Sequence, residues 1–480
     1  MRNIFGVALS VITLSACTVG PDYRPPAALP DGSTTLTEAR DNSNIVMAEL
    51  PEKWWQLFDD PVLDRLVDKA LRNNMDLRIA SANLQRSRAL LAEAGAGRLP
   101  VTTGSASATR QRTADNPANG AIGPATMDFF SVGFDASYEI DIFGGVSRSI
   151  EAARADSAAA QASLDAARVS IAAETARTYA LVCSFALQGQ VARETARLQE
   201  QTLDLTQRLL LGGRANRRDV DRAILLLEQA RAQIPQFEAE RRASLYALAV
   251  LTGDPPANAD VEAAACSALP NIVAPLPVGN GRDLLARRPD VRQAERQLAT
   301  DIARIGVATA QLYPSITLLG GLSLGSSDIG DLNRNDSLGY SIGPLISWNF
   351  PFNNAARARV SQSEAVADGS LAEFDKVVLT ALQETEQALA RLSGAIERER
   401  SLDKAVAASE SAAHISRLRY DYGADSLFQL LDSESERAQI RAMAAAARAN
   451  RSTAQISLFK ALGGGWQNAP DIDEKPAVED

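Results

Sequence analysis

The stretch Phe130-Ser131-Val132-Gly133-Phe134-Asp135-Ala136-Ser137-Tyr138-Glu139-Ile140-Asp141-Ile142 decides the fold. Every even position is apolar, and every odd position is Ser, Gly, Asp or Glu. Successive side chains of a strand point to opposite faces, so this segment carries one apolar and one polar face. Alternation over ten or more residues is the pattern of a membrane-spanning strand, apolar toward lipid and polar toward a wet lumen. A soluble sandwich strand with one solvated face alternates too, so the pattern alone leaves both readings open. A second stretch repeats it. Tyr340, Ile342, Pro344, Ile346, Trp348 and Phe350 interleave with a set that includes Ser341, Gly343, Ser347 and Asn349. Segments 100–111 and 314–325 alternate less cleanly and are read as the hairpin partners, giving hairpins over 100–143 and 314–351.

The repetition extends beyond the strands. Ala80, Leu84, Ala96 and Pro100 recur as Ala294, Leu298, Ala310 and Pro314, an offset of 214. Glu174-Thr175 recurs as Glu384-Thr385, and Gly213-Arg214-Ala215 falls on Gly423-Ala424-Asp425, an offset of 210. An ordered series of matches in one register indicates duplication. Repeat 1 is read over 60–270 and repeat 2 over 271–465. Each holds a helix (about 61–98 and 283–312), a hairpin, a very long helix (148–211 and 355–421), a glycine turn, and a returning helix (217–252 and 427–462). Asp60-Pro61 supplies an N-cap with proline at the first helical position.

At 1.5 Å per residue the long helices extend roughly 95–100 Å, which no compact domain requires. Val191, Leu198 and Leu205 are seven apart, and Val378, Leu382, Leu389, Leu392 and Ile396 keep three–four spacing. That is a coiled-coil seam with small alanines between. Pro235 is expected to kink the first returning helix.

Composition agrees. Hydrophobic residues make up 46% of the 480, yet aromatics only 5%. An alanine-rich apolar share suits thin, closely spaced helices better than a thick globular core. The net charge of −10 argues against nucleic acid as a partner, because a phosphate backbone needs a basic face. A single histidine, His414, excludes three-His zinc sites and makes His-based catalysis a poor reading. No Walker loop, HExxH or nucleophile elbow occurs, so no catalytic residue and no metal site is assigned and the chain is read as a non-enzyme.

At the N-terminus, Arg2 precedes an apolar run from Ile4 to Leu14 and then Ser15-Ala16-Cys17. This is a secretory signal over 1–16, and Leu14-Ser15-Ala16-Cys17 resembles a bacterial lipobox. The resemblance implies that Cys17 becomes the first mature residue and carries a covalent lipid, the only added group expected. Thr18 rather than Asp after it favours the outer membrane. Residues 17–59 are read as an extended segment, and 466–480 as a disordered acidic tail. The apolar run from Ile4 to Leu14 is too short to span a bilayer as a helix, and no later segment offers about 18 uninterrupted apolar residues. Four strands cannot close a barrel in lipid without leaving backbone groups unpaired, so several copies must pool strands, and three would give twelve.

These pieces together resemble the outer-membrane factors, the TolC-like efflux channels, in particular the lipoprotein branch of the OprM and NodT type. The residues that carry the likeness are Cys17-Thr18-Val19-Gly20-Pro21-Asp22-Tyr23, Trp54-Trp55-Gln56-Leu57-Phe58-Asp59-Asp60-Pro61-Val62-Leu63, Tyr138-Glu139-Ile140-Asp141-Ile142-Phe143-Gly144, Arg287-Arg288-Pro289-Asp290-Val291 and Leu462-Gly463-Gly464-Gly465-Trp466. The resemblance implies a mainly α fold with a membrane β part. It would be a homotrimer whose twelve-stranded barrel in outer-membrane lipid continues into a coiled-coil periplasmic tunnel. It implies passive export of small toxic compounds. The partners would be a periplasmic membrane-fusion adaptor and an inner-membrane pump of the resistance-nodulation-division class (RND). It also implies a gate at the two glycine turns. Phe428 would supply an apolar ring and Asp432 an acidic ring, while Tyr420 and Asp219 would hydrogen-bond between coils. Asp425 stands where TolC carries arginine, which puts an arginine link there in doubt. A type I protein-secretion channel is the nearest alternative, and a non-conducting lipid-anchored coiled coil the one of a different class.

Two further cysteines remain. Cys183 lies about 30 residues before Gly213, roughly 45 Å of helix, and Cys266 follows a returning helix of about 50 Å. Similar height in an oxidising compartment predicts a disulfide, against two buried free thiols.

Overall fold

The computed structural model describes residues 18–26, 36–40, 42–112, 126–348, 354–470 and 472. The signal segment, Cys17, Asn349, Phe350 and nearly all of the acidic tail lie outside the described residues. In chain order the elements are β1 (Ile45–Val46), α1 (Pro61–Asn73), α2 (Met75–Ala96), β2 (Val101–Arg112), β3 (Thr126–Glu139), α3 (Gly145–Leu211), α4 (Arg217–Leu251), α5 (Val261–Ala264), β4 (Leu276–Pro277), α6 (Gly281–Arg287), α7 (Pro289–Ala310), β5 (Ser315–Ser326), β6 (Leu338–Ser347), α8 (Asn354–Asp421) and α9 (Leu427–Ala461). Helix pair, hairpin, long helix and returning helix occur twice in that order.

Two expectations need correction. The single helix over 61–98 is two, because Asn74 is extended (φ −63°, ψ 135°) and its Oδ1 accepts the amides of Asp76 and Leu77, capping α2. The helix over 283–312 is likewise two, because Arg288 is extended ahead of Pro289, and a residue before proline avoids the helical region. The returning helix α4 runs unbroken through Pro235.

The chain divides into two compact units. Of the described residues, the first takes in 18–26, 85–112, 126–159, 294–348 and 354–374 and contains an antiparallel sheet in the order β2-β3-β5-β6. The second takes in 36–40, 42–84, 160–293, 375–470 and 472 and holds the aromatic core. There Trp54 and Trp55 are fully buried, and Trp54 stacks on Phe459 with ring centroids 4.9 Å apart. Parallel β1–β4 pairing ties residues 45–46 of the N-terminal segment to 276–277. The helices of this unit present many buried alanines, such as Ala172, Ala176, Ala444 and Ala447, which allow close approach. Ion pairs supplement so thin a core. Arg441 of α9 reaches both Glu410 of α8 and Glu194 of α3, while Arg448 meets Asp403 and Arg451 meets Glu399.

Candidate functional site

In the first unit the register joins the four strands into one two-faced sheet. Gly104, Phe134, Leu322 and Tyr340 form one cross-strand row, and Ala106, Val132, Leu324 and Leu338 the next. On the opposite face, Thr103, Asp135, Gly321 and Ser341 form one row, and Ser105, Gly133, Ser323 and Gly339 another. The even positions of every strand therefore share one face. A slip of one residue at any pairing would mix the faces. The apolar face is open: Phe134 is 53% exposed, Tyr340 82% and Ile342 78%. Both edge strands, β2 and β6, are paired on one side only among the described residues.

In the second unit the two helix turns repeat each other. Gly213 (φ 70°) and Gly423 (φ 76°) are left-handed and end α3 and α8, where glycine carries no Cβ penalty. The amides of Arg214 and Ala424 return to the carbonyls of Leu209 and Arg419. Three residues on, capping boxes open the returning helices, Asn216 with Asp219 and Ser426 with Gln429. Beneath the turns, Ala223, Leu427, Leu430 and Leu431 form a small apolar cluster, with Leu203, Leu226 and Tyr420 packed against it.

The residues singled out in the sequence gather here with different contacts. Asp432 stands 3.4 Å from Arg222 of α4, whose guanidinium also lies 4.2 Å over the Phe428 ring. Phe428 is half exposed. Asp425 pairs within its own turn, accepting from Arg419 Nε at 2.9 Å. Asp219 serves its capping box, where its carboxylate accepts the Asn216 amide at 3.2 Å. The Tyr420 hydroxyl makes no hydrogen bond to Asp219, whose carboxylate serves the cap of its own helix. The two are still near neighbours: burial pushes the Tyr420 phenol up, and the charges of Asp421 and Asp219 push the same way against the opposing pull of Arg214. Glu434, buried, is held by Arg417 and Arg437. Cys183 and Cys266 are joined by a disulfide with Cα atoms 5.3 Å apart. Cys17 lies outside the described residues. His414 is exposed on α8.

Arg222 and Glu434 were not singled out in the sequence. Arg222 was within reach: the 210-residue offset that pairs Gly213 with Gly423 also pairs Arg222 with Asp432. Among the described residues no group of three or more His, Cys, Asp or Glu could hold a metal ion, and no helix is long and apolar enough to cross a membrane.

A family model described as outer membrane efflux protein matches residues 66–254 and 281–464, one segment per repeat. Nodulation protein T of Rhizobium leguminosarum bv. viciae is 30% identical over 467 residues, covering 97% of this chain and 94% of that protein. The toluene efflux pump outer membrane protein TtgF of Pseudomonas putida is 32% identical over 477 residues, with 97% of each covered. Among solved structures, the outer-membrane channel OprN superposes with a TM-score of 0.89 at 34% identity, over 94% of this chain and 100% of that one.

Proposed function

Because the chain belongs to the outer membrane efflux protein family, we propose that its two-faced sheet and helical turns form a passive export duct for small toxic compounds. It is an outer-membrane channel of tripartite efflux, and its helical part extends into the periplasm.

The observation that carries the reading is the shared face of the four strands. An exposed apolar surface backed by rows of Ser, Thr and Gly suits a wall between lipid and water. Unpaired edges at β2 and β6 cannot stay open in lipid, which favours closure with further copies of the chain. Three copies would supply twelve strands, and the homotrimer is the proposed assembly. Exposed apolar residues at the turns, Leu211 (89%) and Tyr422 (88%), support docking by a periplasmic adaptor that brings an inner-membrane RND pump. In this assembly Asp432 and Phe428, close together on α9, would ring the constriction, and Arg222 would hold them. The family reading and the Leu14–Cys17 motif also support a lipid on Cys17. The duct transports without bond-making chemistry of its own.

Deleting the gene tests the proposal. Cells should become sensitive to small toxic compounds while their secreted proteins are unchanged. Loss of a secreted protein without sensitisation would favour a type I secretion channel.

A further inference from the structure

Within the second unit, α3, α4 and α9 enclose a cavity of about 340 Å³. It lies well away from the glycine turns. Gln199 stands 14 residues before Gly213 and Gln229 stands 13 after Asn216, about 20 Å of helix in each case. Five glutamines line it, Gln188, Gln199, Gln229, Gln233 and Gln439, and Val191, Leu226, Phe237 and Met443 supply its apolar part. No charged side chain is among its lining residues. The exposed faces of α3 and α4 differ: there Arg193 pairs with Glu238, and Arg231 with Glu200 and Glu228.

Gln199 is the anomaly. It is only 3% exposed, and its Oε1 has no hydrogen-bond partner among the described residues. Such an acceptor forfeits the hydration it had in the unfolded chain and gains nothing in return. The second repeat shows that the position does not demand an amide. The counterpart 210 residues on is Ser409, also buried, whose hydroxyl donates to the Val406 carbonyl of its own helix at 3.0 Å. Pro235 and Phe237 are likewise peculiar to the first repeat, since the second carries Ala445 and Ala447 there. Pro235 brings no amide to α4 beside the cavity. Phe237 reaches α3 at Gly189, where an added Cβ would touch the Phe237 Cβ at 3.6 Å.

We propose that this cavity binds an uncharged small molecule with an apolar body and a hydroxyl, whose O–H donates to the Gln199 carboxamide oxygen. A buried polar group without a partner inside the chain marks a place for a partner from outside. The terminal torsion of glutamine is soft, so the carboxamide can present either end to the cavity. The uncharged lining sets the class of ligand, because an ion entering it would lose hydration and meet no counter-charge. The carboxamides offer donors and acceptors to an alcohol or a phenol, while Leu226, Phe237 and Met443 cover its hydrocarbon part. Water alone would satisfy Gln199 but leave that apolar wall uncovered.

Equilibrium binding of 2-naphthol, naphthalene and 2-naphthoate to the purified full-length protein in lipid nanodiscs, read against protein-free nanodiscs, tests this. Two variants accompany the unaltered chain. Gln199→Met keeps the side chain's length and removes its polar end, and Ala442→Phe fills the cavity from α9 without touching Gln199. The unaltered chain should show one saturable site per chain that prefers 2-naphthol to naphthalene by about tenfold and leaves 2-naphthoate unbound. Gln199→Met should bring 2-naphthol and naphthalene to equal affinity, and Ala442→Phe should lose both. Gln199→Met should also raise the thermal midpoint of the ligand-free protein, because an unpartnered buried amide is gone. No saturable binding of 2-naphthol, equal binding of the two neutral probes in the unaltered chain, or binding that survives Ala442→Phe would overturn the proposal. So would a preference that persists in Gln199→Met, or a lowered midpoint there, which would mean that Gln199 is already bonded in the empty protein.

Discussion

Arg222 and Asp432 occupy equivalent positions of the two repeats, 210 residues apart, and meet across the repeat boundary at 3.4 Å. Duplication made these positions alike in place, and divergence made them opposite in charge. Arg222 also covers the Phe428 ring, so one cation on α4 engages two residues of α9. Both links are largely solvent-exposed and worth about 0.5–1 kcal/mol each. Arg222→Ala should therefore favour the open tip by about five- to thirtyfold per protomer. Single-channel open probability reads this, and the exchange Arg222→Asp with Asp432→Arg should restore much of the closed population. An unchanged open probability in Arg222→Ala would remove Arg222 from the gate.

Much of the fold could be read before any coordinates. Strict alternation from Phe130 to Ile142 fixed the faces of β3, and glycines 213 and 423 fixed the turns. The breaks at Asn74 and Arg288 were hidden for different reasons. At Asn74 a capping side chain competes with helix continuation, and its Nδ2 finds the Leu251 carbonyl far along the chain. At Arg288 the stop signal, Pro289, was present but was absorbed into a helical pattern. The partners of Asp425 and Asp432 were less legible, because a solvated helix face looks the same whether or not a cation arrives. Asp219 shows the converse: its likeness to a linking position suggested an inter-coil bond, while its carboxylate sits in the capping box of its own helix.

The faces of the sheet can be tested directly. Val132 is on the apolar face and Ser131 on the other, where its hydroxyl lies 2.8 Å from that of Ser107. An arginine facing lipid near the bilayer midplane costs about 2–4 kcal/mol. Val132→Arg should abolish insertion into the outer membrane, whereas Ser131→Arg should insert and change ion selectivity. Membrane fractionation checks the first outcome and bilayer recording the second.

The Cys183–Cys266 bond closes a separation of 83 residues that includes the first turn. By loop entropy such a closure contributes about 4.5 kcal/mol. Cys183→Ala with Cys266→Ala should lower the thermal midpoint of the trimer by several degrees and leave conductance unchanged. Differential scanning calorimetry checks the first outcome and planar-bilayer recording the second, with non-reducing peptide mapping of the unaltered chain to verify the bond.

Acid sensitivity should map in part to Asp260, which caps α5 and takes both Arg65 guanidinium nitrogens at 2.7 and 3.1 Å. The hydrogen bond from Arg65 holds its carboxyl below the ordinary value of 3.8, against the upward pull of burial. A depressed folded value means that the stabilisation is full above the ordinary carboxylate range and is lost as pH falls through the folded value. Arg65→Met should cost about 1 kcal/mol at neutral pH, the upper end for a partly exposed pair. The deficit should shrink toward zero as pH falls below the ordinary carboxylate range and through the lowered folded value. Denaturant midpoints of both proteins across that range give the test.

The central claim is that several copies of this chain enclose a water-filled path through the outer membrane. Planar-bilayer recording of the purified full-length protein, unaltered and as Arg222→Ala, addresses it most directly. Discrete conductance steps are predicted, from a species whose native mass is three chains, with longer openings in the variant. A correctly folded, membrane-inserted trimer that passes no current in either form would contradict it.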